Sequence, residues 1–487
     1  MTKKLFIIST ITLLQIGTFT LSAQQKIKST PLYSKIDSYL TAGSENGFSG
    51  AITVVKNGRV IINKGYGEAN KNTKVLNNPN TIFDIGSNTK QFTATAILKL
   101  VEQKKIKLTD SLNKFFKNLP IDKQLITIHQ LLSHSAGFID SLGSDFSEIS
   151  QKNFFEQLFA SALLSVPGEK YSYSNTGYSI LGRIIELVSG QSYETFLNEY
   201  LFAPAGMLQT GYLLPKWKTE QISRSYNRGI IDSESAIIRY QKDGGVNWHL
   251  KGNGGINSTQ NDMLLWYKAL KTNKIISRES FKKLTTPYIN YSSGKYNYSY
   301  AYGWSIRILE NNIKRISHNG SNGAYSHSLV WLPEEDIYIS YATNANSSKV
   351  EFLAYRIIKI IIDQNYTPEP IQNNAYYFTI EYLKQHPTNT SKELLKLLQE
   401  NYKGEFRNGG LFNTLGNLLI KSNENLDWAL ELFKMNVQLY PKDGNLWDSL
   451  GDGYKVNNQK EDAIKSYQKA IELGFKDSQK KLTGLID

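Results

Sequence analysis

The apolar positions of this chain change their period several times. Pro31 to Ala42 has the spacing of an amphipathic helix. A strand–turn–strand unit follows, from the apolar runs Ala51-Ile52-Thr53-Val54-Val55 and Arg59-Val60-Ile61-Ile62. The Asn57-Gly58 dipeptide between them accepts the positive φ angles of a tight hairpin. From Thr89 to about Lys104, Phe92, Ala96, Ile97, Leu100 and Val101 follow a helical pattern. Residues 107–190 read as helices and loops, including Ile128 to Ser133 and Thr176 to Val188. Gly190 sits where that last helix needs a C-cap. Strand patterns return at Tyr302 to Ile308, Ser328 to Leu332 and Ile337 to Tyr341, and Val350 to Ile362 is a strongly apolar helix. Early strands, central helices and late strands predict an α+β domain whose antiparallel sheet is assembled from both ends of the segment.

That domain is expected to span residues 30–362, with a linker at 363–374 stiffened by Tyr366-Thr367-Pro368-Glu369-Pro370. Residues 375–487 form a helical region with a hidden period. Asp427-Trp428-Ala429-Leu430 and Phe433 recur about 34 residues later as Glu461-Asp462-Ala463-Ile464 and Tyr467. Leu415-Gly416 matches Leu450-Gly451 with one extra residue, and Pro441 ends the first copy. The pattern resembles the tetratricopeptide repeat, a helix–turn–helix unit. Two copies cannot bury a sufficient core, so Ala375 to Gln385 and Lys392 to Tyr402 are expected to add a degenerate pair, and Lys476 to Ile486 a cap. Such a region offers a surface for a protein or peptide partner.

The chain has 487 residues, 40% of them hydrophobic, enough for packed cores in a large and a smaller domain. Its formal charge of +13 raises the question of nucleic acid, but no run of five lysines occurs. A solvated basic surface is expected and nucleic-acid binding is not; attraction toward anionic envelope polymers or lipid is the other use of such charge. Residues 1–23 have the form of a secretory signal: Lys3 and Lys4, an apolar stretch from Leu5 to Leu21, then Ser22-Ala23 before Gln24. Polar residues interrupt the stretch, which argues against an anchor helix. An exported protein, periplasmic or secreted, is expected, with no transmembrane segment once the signal is cleaved. No cysteine is present, so disulfides and thiolate metal sites are excluded.

Three short motifs carry candidate chemistry: Ser87-Asn88-Thr89-Lys90, Tyr173-Ser174-Asn175 and His318-Asn319-Gly320. Ser87 opens an apolar helix, and Lys90 lies one turn on along the same face. A buried Lys90 has a lowered pKa and can act as a base. Tyr173 can relay a proton if cations lower its pKa. Asn175 can hold Lys90 or donate to a substrate carbonyl. Gly320 lets a substrate approach a strand edge closely, and the backbone amides of Ser87 and Ser321 are candidates for an oxyanion hole. No metal or cofactor is called for: G-x-S-x-G, H-E-x-x-H and a phosphate loop are absent, and the six histidines form no ligand cluster.

These motifs, with Leu131-Leu132-Ser133-His134-Ser135-Ala136-Gly137, Gly65-Tyr66-Gly67 and Gly254-Gly255-Ile256-Asn257-Ser258-Thr259, resemble the serine β-lactamase-related family. It comprises class C β-lactamases, D-peptidases and esterases, and is akin to penicillin-binding proteins. The resemblance implies an antiparallel sheet flanked by helices, with the site between the sheet and an all-helical lobe. It also implies that Ser87 is acylated, that Lys90 and Tyr173 handle protons, that His318 to Gly320 form the third element, and that His134 is structural. Lysine usually stands where His318 does and binds a substrate carboxylate; His318 offers a weaker, pH-dependent charge. Esterase or D-amino-acid peptidase action on a small ester, amide or peptide therefore ranks above class C-like β-lactamase or DD-carboxypeptidase action. A catalytically inactive scaffold that binds through its repeats is the reading from another class.

Overall fold

The computed structural model describes residues 30–309, 312–350, 352–406 and 408–486; the expected signal at residues 1–23 lies outside them. The chain divides into two compact units. One comprises residues up to Ser225, Asp232–Asn346 and Val350–Ile371; the other Tyr226–Ile231, Ser347–Lys349 and Gln372–Asp487. The residues read as a linker are shared between them, 363–371 with the first and 372–374 with the second.

The first unit is built on an eight-stranded sheet. Its strands are β1 (Gly50–Lys56), β2 (Arg59–Tyr66), β3 (Ile289–Ser293), β4 (Tyr296–Tyr300), β5 (Ser305–Ile308), β6 (Lys314–Asn322), β7 (Tyr325–Leu332) and β8 (Ile337–Thr343), ordered β2-β1-β8-β7-β6-β5-β4-β3. Every neighbouring pair is antiparallel. Asn57 and Gly58 take φ of 51° and 69°, so the first hairpin turns tightly. That hairpin then pairs with the last strand, Gly50 with Thr343 through Lys56 with Ile337, which closes the sheet from both ends. The hairpin β3–β4 went unread in the sequence because its tyrosines and serines lack an apolar alternation.

The period-2 pattern decides what each face buries. Leu329, Trp331 and Tyr338 pack with Phe92, Ile97, Leu132, Phe138 and Ile180 of the intervening helices. Val330, Leu332, Ile337 and Ile339 face the other way, against Ile36 and Leu40 of α1 (Pro31–Glu45) and Leu353 and Ile357 of the helix Leu353–Ile362. Strand β5 starts at Ser305, later than expected, because Ala301 N bonds Trp304 O in a turn.

The second unit is helical: Ala375–Gln385, Ser391–Asn401, Gly410–Ser422, Leu426–Leu439, Gly444–Val456, Lys460–Glu472 and Ser478–Ile486. Gly416 and Gly451 occupy equivalent places in successive helix pairs. A methyl on Gly416 would lie 2.5 Å from the Phe433 ring, and one on Gly451 2.4 Å from the Tyr467 ring. Arg228, from the short segment inside the first half of the chain, belongs to this unit and donates to Thr414 Oγ1 at 3.0 Å.

Gly451→Ala tests that packing. Overpacking costs ~1–3 kcal/mol, while the gain in helix propensity is ~1 kcal/mol. The expected outcome is a net loss of about 1 kcal/mol, read as faster amide exchange in peptides covering residues 444–472 with the sheet peptides unchanged. Equal exchange would show that the Tyr467 ring does not need this space.

Candidate active site

Gly86–Asn88 makes a single 3-10 turn that runs straight into α2 (Thr89–Glu102), so Ser87 and Lys90 lie one turn apart. Lys90 is 0% exposed. Its Nζ faces three oxygens: Asn175 Oδ1 at 2.6 Å, the Asn253 carbonyl at 2.8 Å and Ser87 Oγ at 3.1 Å. Burial lowers its pKa to about 7, against the opposing fields of Asp140 and Asp145. A neutral amine has two N–H groups and one lone pair. Asn175 Oδ1 and the Asn253 carbonyl can only accept, so they take the two N–H groups. The lone pair then faces the Ser87 hydroxyl.

Tyr173 and Asn175 flank an N-cap. Ser174 Oγ accepts from Gly177 N at 2.9 Å and starts the helix Asn175–Ser189, which fixes both neighbours. The Tyr173 hydroxyl is hydrogen-bonded to Ser87, and Lys90 Nζ sits 4.7 Å from the Tyr173 ring centroid. The expected lowering of the Tyr173 pKa does not occur. Burial pushes it up, Asp140 pushes it further, and the Ser87 hydrogen bond only partly opposes them. Tyr173 is a neutral phenol, equipped to donate a proton. His134 packs its ring 4.4 Å from that of Tyr173 and accepts from Ser174 N through Nδ1 at 3.1 Å.

The third motif lies on β6. Pairing with β5 stops at Ser317, so His318 to Asn322 pair with β7 alone and leave an open edge. His318 is 7% exposed, and burial, aided by the charge of Lys90, lowers its pKa to about 3. Nδ1 lies 2.7 Å from the Asn319 carbonyl, so it is the donor; Nε2 then accepts from the Tyr300 hydroxyl at 3.0 Å. The expected pH-dependent positive charge is therefore absent at neutral pH. Asn319 is exposed at the strand edge, where its Oδ1 accepts from Ser328 Oγ at 2.8 Å.

Gly320 has a different reason from the one expected. The body that approaches it is the chain itself: a methyl there would lie 2.0 Å from Ile85 O and 2.8 Å from Ser87 N. Gly86, at φ 50°, is equally constrained, since a methyl would lie 2.4 Å from Ser321 N. The nucleophile turn thus docks at backbone distance on the open edge, and the amides of Ser87 and Ser321 come into one neighbourhood.

Asp84 completes this arrangement and was passed over in the motif reading. It is 1% exposed; Oδ1 accepts from Gly86 N and Oδ2 from Asn322 Nδ2, both at 2.7 Å. One carboxylate so ties the turn carrying Ser87 to the end of β6. Burial raises its pKa to about 7. The available signal was an acid inside the apolar run Phe83-Asp84-Ile85, since a buried charge must have partners. No group of three or more His, Cys, Asp or Glu suited to a metal ion occurs among the described residues.

Asp84→Ala leaves the Gly86 N–H without an acceptor, a loss of ~1–3 kcal/mol. The labelling of Ser87 by a fluorophosphonate is expected to slow about ten-fold. Asp84→Asn keeps both bonds once the Asn322 amide turns over, and should label nearly as fast as the native chain. Equal labelling by the alanine variant would show that the clamp does not position Ser87.

Residues 36–361 match the family model described as Beta-lactamase. The chain is 28% identical over 341 residues to Protein flp of Staphylococcus aureus (strain NCTC 8325 / PS 47), which covers 67% of this chain and 66% of flp. It spans just under two thirds of the length of the curated relatives it matches. Among solved structures, the octameric penicillin-binding protein homologue from Pyrococcus abyssi superposes with a TM-score of 0.60 at 26% identity, covering 72% of this chain and 81% of that one. The D-amino acid amidase from Ochrobactrum anthropi SV3 has the same fold, with a TM-score of 0.58 at 21% identity over 69% of this chain and 100% of the amidase. With two thirds of its length matched to one model and its lysine and tyrosine both hydrogen-bonded to its serine, the chain belongs to the β-lactamase family of serine hydrolases.

Proposed function

We propose that this chain is an exported hydrolase that cleaves an ester or amide through an acyl-enzyme on Ser87, as an esterase or D-amino-acid peptidase. The observation that carries the reading is the buried Lys90 Nζ, 3.1 Å from Ser87 Oγ, with its pKa lowered to about 7 by burial. Lys90 takes the hydroxyl proton as Ser87 Oγ attacks the carbonyl carbon. The developing oxyanion is held by the Ser87 and Ser321 amides, donors worth ~3–4 kcal/mol each. The leaving group departs with a proton from the neutral Tyr173 phenol. The Lys90 ammonium returns a proton to the Tyr173 phenolate. Lys90, neutral again, takes a proton from the water that attacks the acyl carbon and passes it to Ser87 Oγ as the acyl group leaves, which restores the resting site.

The neutral His318 decides the ranking of substrates. A β-lactamase or DD-carboxypeptidase of the class C-like kind needs a cation for the substrate carboxylate, and His318 with its pKa near 3 supplies none. A dead scaffold is disfavoured by the same Lys90 geometry, which would be a costly way to bury an amine without a use. The helical unit is read as tetratricopeptide repeats on the strength of its paired glycine–aromatic contacts, and as a surface for a protein or peptide partner.

One preparation assayed with p-nitrophenyl acetate, nitrocefin and D-alanyl peptides is expected to cleave the ester measurably and nitrocefin weakly, with all activity lost in Ser87→Ala. Nitrocefin turnover far above ester cleavage would reverse the ranking. The pH profile is a separate check. Lys90 works unprotonated, so kcat/KM should rise with pH through about 7. Asp84 titrates in the same range, so the profile is measured in Asp84→Asn as well. Persistence of the acid limb there assigns it to Lys90; its disappearance assigns it to Asp84.

A further inference from the structure

The clamp that ties the nucleophile turn to β6 ends on an asparagine followed by a glycine. Asn322 donates through Nδ2 to Asp84 Oδ2 at 2.7 Å. Gly323 opens the turn between the paired residues Asn322 and Tyr325. Its φ is 58°, and a methyl built on it would meet nothing within 4 Å. Its amide N–H has no hydrogen-bond acceptor among the described residues. A free backbone amide after asparagine can attack the side-chain Cγ and close a cyclic imide. Glycine favours the closure, because no Cβ crowds the ring.

The same dipeptide elsewhere in the chain is held shut. At Asn319-Gly320 the glycine is wedged against the nucleophile turn, 2.0 Å from Ile85 O for an added methyl. Gly47 N already donates to Ser44 O at 3.1 Å, Gly254 N to Leu250 O at 2.9 Å, and the Gly58 amide to Asp336. Position 322 differs a second time, at the nitrogen that would have to leave. Amide nitrogen leaves poorly unless it is given a proton. Asp84 lies on that nitrogen, is 1% exposed, and has its pKa raised by burial to about 7. A share of its carboxyl groups is therefore protonated at neutral pH and able to act as the acid.

We propose that Asn322 is a self-modification site, converted by Gly323 N and Asp84 to aspartate or isoaspartate, and that the conversion disables Ser87. The bond from Gly323 N to Asn322 Cγ forms and the Cγ–Nδ2 bond breaks. The Gly323 N–H proton passes to solvent, the Asp84 carboxyl protonates the leaving nitrogen, and ammonia departs. Water then opens the imide, and Asp84 regains its proton from solvent. The product sets a second carboxylate against Asp84 where an N–H donor stood. Two carboxylates so placed do not both ionise, and the tie between the nucleophile turn and β6 opens. The loss of Ser87 reactivity rests on the hydrolase reading proposed above; the modification itself does not.

The test ages the full chain at neutral pH and follows each asparagine by peptide fragmentation mass spectrometry. Residue 322 is expected to convert while Asn319 stays intact. Asp84→Asn, which has no proton to give, should convert several-fold more slowly. Fluorophosphonate labelling of Ser87 should fall in step with the converted fraction. Fresh Asn322→Asp should label about ten-fold more slowly than the native chain. The swapped pair Asp84→Asn/Asn322→Asp, in which amide and carboxylate exchange places, should label nearly as fast as the native chain, which separates a lost clamp from a misfolded one. Conversion at 322 no faster than at 319 overturns the modification site, and an equal rate in Asp84→Asn overturns the role of the acid. Undiminished labelling of the converted chain, or a swapped pair as slow as Asn322→Asp, overturns the loss of Ser87 reactivity. If the fresh native chain takes no label at all, the hydrolase reading fails, and the conversion rates still decide the modification.

Discussion

A buried amine is the constraint on which the structure turns. Lys90 is fully buried, and its Nζ is satisfied only because two remote segments deliver oxygen atoms to the point where it meets Ser87 Oγ. Asn175 arrives at the start of a helix capped by Ser174, and the Asn253 carbonyl arrives from the turn preceding Gly254. That turn is itself pinned, because Asn253 Nδ2 donates to Ser179 Oγ and to the His249 carbonyl. Moving any one of these would leave a buried donor unpaired, at a cost of ~1–3 kcal/mol. The polar network therefore enforces the fold around the site while lowering the pKa that gives the site its use.

A second constraint is steric. The turn holding Ser87 meets the edge of β6 without side chains between them, through Gly86 and Gly320. Backbone meeting backbone brings amide groups close, which is what stabilisation of an oxyanion requires. It also leaves the meeting without side-chain interlocking. Asp84 fills that gap from beneath, bonded to Gly86 on one side and Asn322 on the other. Catalytic geometry here is set by small residues that permit approach and by one acid that prevents slippage.

The sequence displayed these features unevenly. Serine, lysine and tyrosine were legible because they sit in short local patterns at helix starts, where spacing translates directly into geometry. The early hairpin was legible through Asn57-Gly58, and the buried strands through their short apolar runs. The hairpin at 289–300 was not, because Tyr291, Tyr296 and Tyr298 stack on one another and on arginine rather than in a core. Titration behaviour was the least legible. Tyr173 and His318 were read by residue type, yet burial moved the first up and the second down. Desolvation is a property of the packed whole, so no local pattern announces it.

The neutrality of His318 has a consequence for recognition. Its imidazole spends Nδ1 on its own strand and Nε2 on Tyr300, so both nitrogens serve the structure. Protonating it would oblige Nε2 to donate toward a hydroxyl that now donates to it, beside the Lys90 amine, in a buried site. The fold resists that change, which is why the pKa falls so far. A site that gives up a cation beside the nucleophile cannot select substrates by a carboxylate held there.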